Sequence, residues 1–168
     1  MASNKKPRKK YVKKRDLIDP IRSAIMRATK LRPFEKAMLL DPIWESFEKL
    51  KKGEWKNEDF KFMADCLNVA QALTLPGIGL LPDHMDKFDA AHHALQQLSA
   101  RRNATGKWLA KGDELRTIEV GIEFHAIQID FVSAGELAKA TQRVDDILKG
   151  AVSGSPGKGH IHTVLQAD

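Results

Sequence analysis

Cysteine is almost missing from this chain. The single Cys66 among 168 residues excludes an internal disulfide framework and a cysteine-rich zinc site. Apolar residues never run on for the roughly 18 positions that a membrane-spanning helix requires. The basic start lacks the apolar stretch of a secretory signal. These absences predict a soluble, cytoplasmic protein of a reducing compartment, with no membrane partner. Motifs of common catalytic centres are missing too. There is no His-Glu-x-x-His, no Gly-x-Ser-x-Gly and no phosphate loop ending in Gly-Lys-Ser or Gly-Lys-Thr. Asp89 and His92 form one Asp-x-x-His pair without the second motif that a helical di-metal centre needs. His160 and His162 offer two ligands, which make a weak site. No metal or other cofactor is expected, and no catalytic residue is assigned.

Acidic residues are also missing from one region, the first fifteen positions. Lys5, Lys6, Arg8, Lys9, Lys10, Lys13, Lys14 and Arg15 stand there with no Asp or Glu. They are eight of the chain's 28 Lys and Arg, leaving 20 basic against 22 acidic residues in the remainder. The sequence reads as a nearly neutral body with a cationic arm. Like charges without apolar residues predict a flexible, disordered arm. Its functional reading is phosphate contact, because each Lys or Arg placed on a nucleic-acid backbone releases counterions. Tyr11 can add base stacking. A nuclear-import signal and a solubilising tail remain alternative readings of the same residues.

The rest of the chain is punctuated by turn residues. Asp19-Pro20 and Asp41-Pro42 each read as a capping carboxylate followed by a first-turn proline. After Pro20, an apolar stripe of Ile21, Ala24, Ile25 and Ala28 lies opposite Arg22, Arg27 and Lys30. Pro33 is expected to end that helix and begin a short one through Leu40. A further helix from Pro42 should carry Ile43, Trp44, Phe47 and Leu50 and close at Gly53. Long helices follow over about 58–75, capped by Asn57, and about 114–131, capped by Asp113. Both carry two apolar faces, the mark of a central helix. Between them lie an apolar connection, Leu75–Leu81, a helix over about 82–101 and a basic loop, 102–112. Ser133 and Glu136 fit a capping box opening a last helix over about 134–149, which Gly150 ends. The fold expected is all-α: a compact bundle of five to six helices around two doubly apolar ones. Its parts are a basic arm (1–15), a helical domain (16–150) and a flexible Gly/Ser/Pro-rich tail (151–168). Gly53-Glu54-Trp55 and Gly106-Lys107-Trp108 echo one another before the two long helices, as a duplicated hairpin would.

Candidate functional residues follow from this layout. Nucleic-acid contact is expected from the arm (Lys5, Lys6, Arg8, Lys9, Lys10, Tyr11, Lys13, Lys14 and Arg15) and from Arg22 on the first helix. A loop cluster of Arg101, Arg102 and Lys107, beside Lys111, offers further phosphate contacts. A Cys66–His125 pair on the two central helices is the one conceivable nucleophile–base couple. Core filling by Cys66 and a hydrogen-bonded core imidazole for His125 are the commoner roles.

Several segments in a fixed order resemble a known kind of protein. Lys-Lys-Tyr-Val-Lys-Lys-Arg (9–15) leads to Asp-Pro-Ile (19–21). Leu67-Asn68-Val69-Ala70-Gln71-Ala72-Leu73, Asp113-Glu114-Leu115-Arg116 and His125 follow. Together, over most of 9–149, they resemble small helical accessory proteins encoded by proteobacterial phages, prophages and plasmids. The resemblance implies a setting and no catalytic residues. Such proteins bind nucleic acid or obstruct a host machine, including host defence complexes. The expected function is a non-enzymatic binding protein contacting DNA, RNA or a nucleoprotein complex through its arm. The alternative is an inhibitor or adaptor whose helical body covers a host protein.

Overall fold

The computed structural model describes residues 28–75 and 84–150. Within them the chain is helical: α1 (Pro33–Lys51), α2 (Asn57–Leu73), α3 (Met85–Thr105), α4 (Gly112–Phe131) and α5 (Ala134–Leu148). The arm, the helix expected after Pro20 as far as Arg27, the Pro76–Asp83 connection and the tail from Ala151 lie outside the described residues.

Local chemistry explains most boundaries. Pro33 occupies the first turn of α1, where its missing N–H has no intrahelical partner to lose. Gly53, Gly106 and Gly150 follow α1, α3 and α5 with φ of 71°, 73° and 67°, a conformation that side-chain-bearing residues rarely adopt. Ser133 accepts the Glu136 N–H at 3.2 Å, and the Glu136 carboxylate accepts the Ser133 N–H at 2.7 Å. That reciprocal capping box starts α5 as expected. Elsewhere the caps differ from the sequence expectation. Lys56 and Lys111, not Asn57 and Asp113, precede α2 and α4. A lysine side chain accepts no hydrogen bond, so the N3 carboxylates Asp59 and Glu114 do the capping.

Two expected breaks do not occur. α1 runs through Asp41-Pro42 as one helix. Pro42 removes the hydrogen bond to the Met38 carbonyl, yet both residues lie on the exposed side, where losing that bond costs less than it would in the core. α3 continues to Thr105, so Arg101 and Arg102, the latter in its last turn, belong to the helix rather than to a loop.

Packing builds an up-and-down bundle. α2 touches α1, α3, α4 and α5, while α4 touches α1, α2 and α3, so the two expected central helices are central. Their second apolar faces, however, stay partly open: Phe62 on α2 and Ile127 and Phe131 on α4 are exposed. The larger core gathers Phe47, Phe60, Met63, Leu67, Phe88, Leu95, Ile118 and Ile122. A smaller one, with Leu73, Ile129, Val132, Ala140 and Val144, seats α5. At one end the chain entering α1 meets the α4–α5 turn: the Ala134 N–H donates to Thr29 O at 3.1 Å, and Lys36 Nζ reaches Asp130 at 2.8 Å.

Three helices approach closely at Gly121. A Cβ there would stand 2.9 Å from the Ala91 Cβ and 3.3 Å from Leu67 Cδ2, so α2, α3 and α4 meet where α4 has no side chain. Around this crossing runs a buried polar seam. His92 Nδ1 donates to Phe88 O at 2.8 Å, and its Nε2 lies 2.9 Å from the Asn68 amide. Gln71 donates to Asp89 at 2.6 Å, and Gln128 donates to Ala70 O at 3.0 Å. Forcing a branched side chain into this contact separates the helices that the seam joins. Gly121→Val is expected to lower stability by about 2–3 kcal/mol, read as a fall in the urea midpoint at unchanged slope. An unchanged midpoint would show that the crossing relaxes freely.

Candidate functional site

The two Gly-x-Trp segments form matching corners that meet at one end of the bundle. In the first, Gly53 turns the chain after α1 and Trp55 is buried, its Nε1–H donating to Ser46 O at 2.6 Å. The Asp59 carboxylate then accepts the Lys56 N–H at 2.9 Å and pairs with Lys49 of α1 at 3.1 Å. In the second, Gly106 turns the chain after α3 and Trp108 is buried. The Glu114 carboxylate accepts the Lys111 N–H at 2.8 Å and pairs in two-pronged fashion with Arg101 of α3. Each corner thus has a left-handed glycine, a buried indole and an N3 carboxylate clamped to a cation of the preceding helix. Trp108 stacks on Phe60 with centroids 4.7 Å apart and meets the edge of Trp55 at 6.0 Å.

Electrostatics divide the cations of this end into two groups. Arg101 is committed: besides Glu114 it donates to Leu109 O at 2.7 Å. Its hydrogen bonds hold the buried Glu114 carboxyl below the ordinary carboxylate range, against the opposing effect of burial. At Asp59 burial acts upward, but the Lys56 N–H and Lys49 bring the carboxyl below its usual value. Lys52, Lys56, Lys107 and Lys111 remain exposed. The Arg102 guanidinium lies over the Trp108 ring at 5.7 Å and contacts Asn103. Of the three cluster residues named from sequence, Lys107 is exposed beside Lys111, Arg102 is half-buried over the Trp108 ring, and Arg101 holds the corner together. Lys52 and Lys56 join them from the other corner, an association that the Gly-x-Trp echo alone could have signalled. Glu54, Glu58 and Asp113 moderate the patch. Nearby on α1, an open depression of about 630 Å³ is lined by Trp44, four carboxylates, Lys49 and Lys52. Arm residues Lys5, Lys6, Arg8, Lys9, Lys10, Tyr11, Lys13, Lys14 and Arg15, together with Arg22, lie outside the described residues.

The Cys66–His125 couple is not assembled. No hydrogen bond joins the two side chains. Burial, with the nearby Asp65 carboxylate adding to it, pushes the Cys66 thiol up to about 12, the opposite of nucleophile activation. Burial lowers the His125 pKa, and its Nδ1 lies 3.2 Å from Gln128 Oε1. Among the described residues no three His, Cys, Asp or Glu side chains are grouped to hold a metal ion. No helix there is long and apolar enough to cross a membrane.

Two measurements check these assignments. Native Cys66 should react with a thiol reagent at pH 8 roughly a thousandfold more slowly than the unfolded chain, following its thiolate fraction. Comparable rates would put the thiol in an activating site. For Glu114 the folded pKa lies below the unfolded one, so its contribution is present above the ordinary carboxyl pKa and is lost as pH falls through the folded value. Glu114→Gln should therefore destabilise the protein at neutral pH, and its difference from wild type should shrink on acidification below about pH 4.5. A pH-independent difference would contradict the pairing.

No protein-family model, curated protein or solved structure matches this chain.

Proposed function

We propose that this chain is a non-enzymatic polyanion-binding protein that contacts nucleic acid, or a nucleoprotein complex, through its cationic arm. The observation that carries the reading is the arm itself: eight Lys and Arg in fifteen residues without one acidic neighbour. Each phosphate contact made by such residues releases counterions, so affinity arises without sequence readout. The body adds a second, weaker contact at the Trp corner, where Lys107, Lys111, Lys52 and Lys56 are exposed and Arg102 lies half-buried over the Trp108 ring. The setting suggested by the sequence resemblance is an accessory protein of a phage or other mobile element.

A second reading, an inhibitor or adaptor that covers a host protein, draws on the body's apolar surface. Phe34 and Met38, one helical turn apart on α1, are 72% and 62% exposed. The Leu75–Leu81 connection, the other candidate patch, lies outside the described residues after Leu75.

Titration of mixed-sequence DNA and RNA at several salt concentrations separates the readings. The intact protein should bind with log affinity falling linearly in log salt, at a slope of about −0.9 per duplex phosphate neutralised. Removal of residues 1–15 should abolish binding. Arg102→Ser with Lys107→Ser should flatten the slope by about one to two while leaving binding detectable. No binding by the intact protein would remove the nucleic-acid reading and leave the protein-partner one.

A further inference from the structure

Leu109 stands out of the Trp corner for a structural reason. Trp108 before it is buried, and Ala110 after it packs against the larger core. Between these anchors the Leu109 carbonyl accepts a hydrogen bond from Arg101 at 2.7 Å, and Arg101 is itself clamped by Glu114. With the backbone held in this way, the Leu109 side chain is left 51% exposed. It leans on the first corner, where its Cδ2 lies 3.6 Å from the place that a Gly53 Cβ would occupy. Over residues 52–59 and 105–114, the two corners, it is the only exposed large apolar side chain.

Cations flank this contact from both corners. Lys107 and Lys111 are each two residues from Leu109, Lys52 is next to Gly53, and Lys56 follows it by three; all four are exposed. Glu54, Glu58 and Asp113 lie in the same segments and keep the net charge of the patch small. An exposed leucine by itself is ordinary. One held upright among lysines suits a ligand that offers an apolar face between anionic groups. A duplex does not fit: its phosphates face outward and its bases are stacked inside, so the leucine would be pressed against charged oxygens. An unpaired nucleotide fits, because its base exposes a flat apolar face while phosphates continue on either side.

We propose that the Trp corner receives an unpaired nucleotide, with the base on Leu109 and the flanking phosphates on the lysines of the two corners. This rests on the nucleic-acid reading above and narrows it to single-stranded or looped segments. In that division of labour the arm supplies most of the affinity, and the corner supplies the discrimination against duplex.

The test compares three fluorescent ligands of equal length: a mixed-sequence single strand, the same strand with abasic sites through its middle, and a duplex. Every protein tested carries Tyr11→Ser, so that the arm has no aromatic ring to stack on a base. The intact strand should bind about fivefold more tightly than the abasic one, the gain from covering the exposed half of one leucine. Leu109→Ser should remove that preference at an unchanged salt slope, since no phosphate contact is lost. Leu109→Met should retain it, and duplex affinity should respond to neither variant. Circular dichroism should confirm an unchanged fold in both. Equal affinity for the intact and abasic strands would overturn the proposal and leave the polyanion reading standing. A preference that survives Leu109→Ser would also overturn it, by placing the base contact elsewhere. So would an effect of Leu109→Ser confined to phosphatidylserine vesicles, which would assign the leucine to a lipid surface. Absence of binding to all three nucleic acids would remove the reading above together with this proposal.

Discussion

Trp108, packed between Phe60 and the edge of Trp55, determines how the two halves of this bundle meet. α1–α2 and α3–α4 are each an antiparallel hairpin that can bury only one side of its own apolar surface. The three-ring contact joins them at their turns. Aromatic pairs of this kind contribute about 0.5–1.5 kcal/mol each beyond burial, but the geometric effect is larger. With both indoles held, each glycine must turn at a set distance before the next helix starts. The first turns of α2 and α4 then present Asp59 and Glu114 to Lys49 and Arg101. The cations left over from that pairing, Lys107, Lys111, Lys52 and Lys56, are exposed, and Arg102 lies over the Trp108 ring. The basic end of the body is thus a by-product of how the core closes.

The polar seam depends on the same geometry at the other level of the bundle. Asn68, Gln71, Thr74, His92, His125 and Gln128 are all buried, and buried polar groups without partners cost more than the bonds they make return. Here the partners are found on neighbouring helices: Gln71 with Asp89, His92 with Asn68, Gln128 with Ala70 O. Such bonds hold only if α2, α3 and α4 keep one register. The side-chain-free surface at Gly121 brings the backbones close enough for Gln128 to reach Ala70. Ser46 Oγ is the one buried side-chain polar atom without a partner among the described residues. It lies beside the carbonyl that receives the Trp55 indole.

Legibility in the sequence followed the range of the interaction. Pro33, Gly53, Gly150 and the Ser133–Glu136 box act within one turn, and their meaning could be read directly. Asp41-Pro42 carries the same local signal, but its outcome depends on which side of α1 faces water, and that is set by Ile43, Phe47 and Leu50 meeting α2 and α4. The second apolar faces of α2 and α4 correctly marked both helices as central. They overstated burial, because periodicity reports an apolar face and not what covers it. At the Trp corner, the repeated Gly-x-Trp was visible, yet the contact between its copies is long-range. The fate of Arg101 was hidden for the same reason. Its partner Glu114 lies thirteen residues on, across a turn, and looked like an ordinary first-turn carboxylate.

Charge placement then gives the fold a functional consequence. The arm joins the body at the end where Thr29 and Lys30 meet Ser133 and Ala134, whereas the body's outward cations sit at the Trp corner. α1 separates these ends by about 28 Å at helical rise, or about eight base-pair steps of a duplex. Two weak contacts reinforce one another only when a ligand reaches both. Residues 16–27 can span at most about 43 Å when extended, so the arm is able to return to the corner, at an entropic cost that grows with the freedom it gives up. The near-neutral body contributes little attraction on its own, so the benefit of its corner depends on where the arm is held.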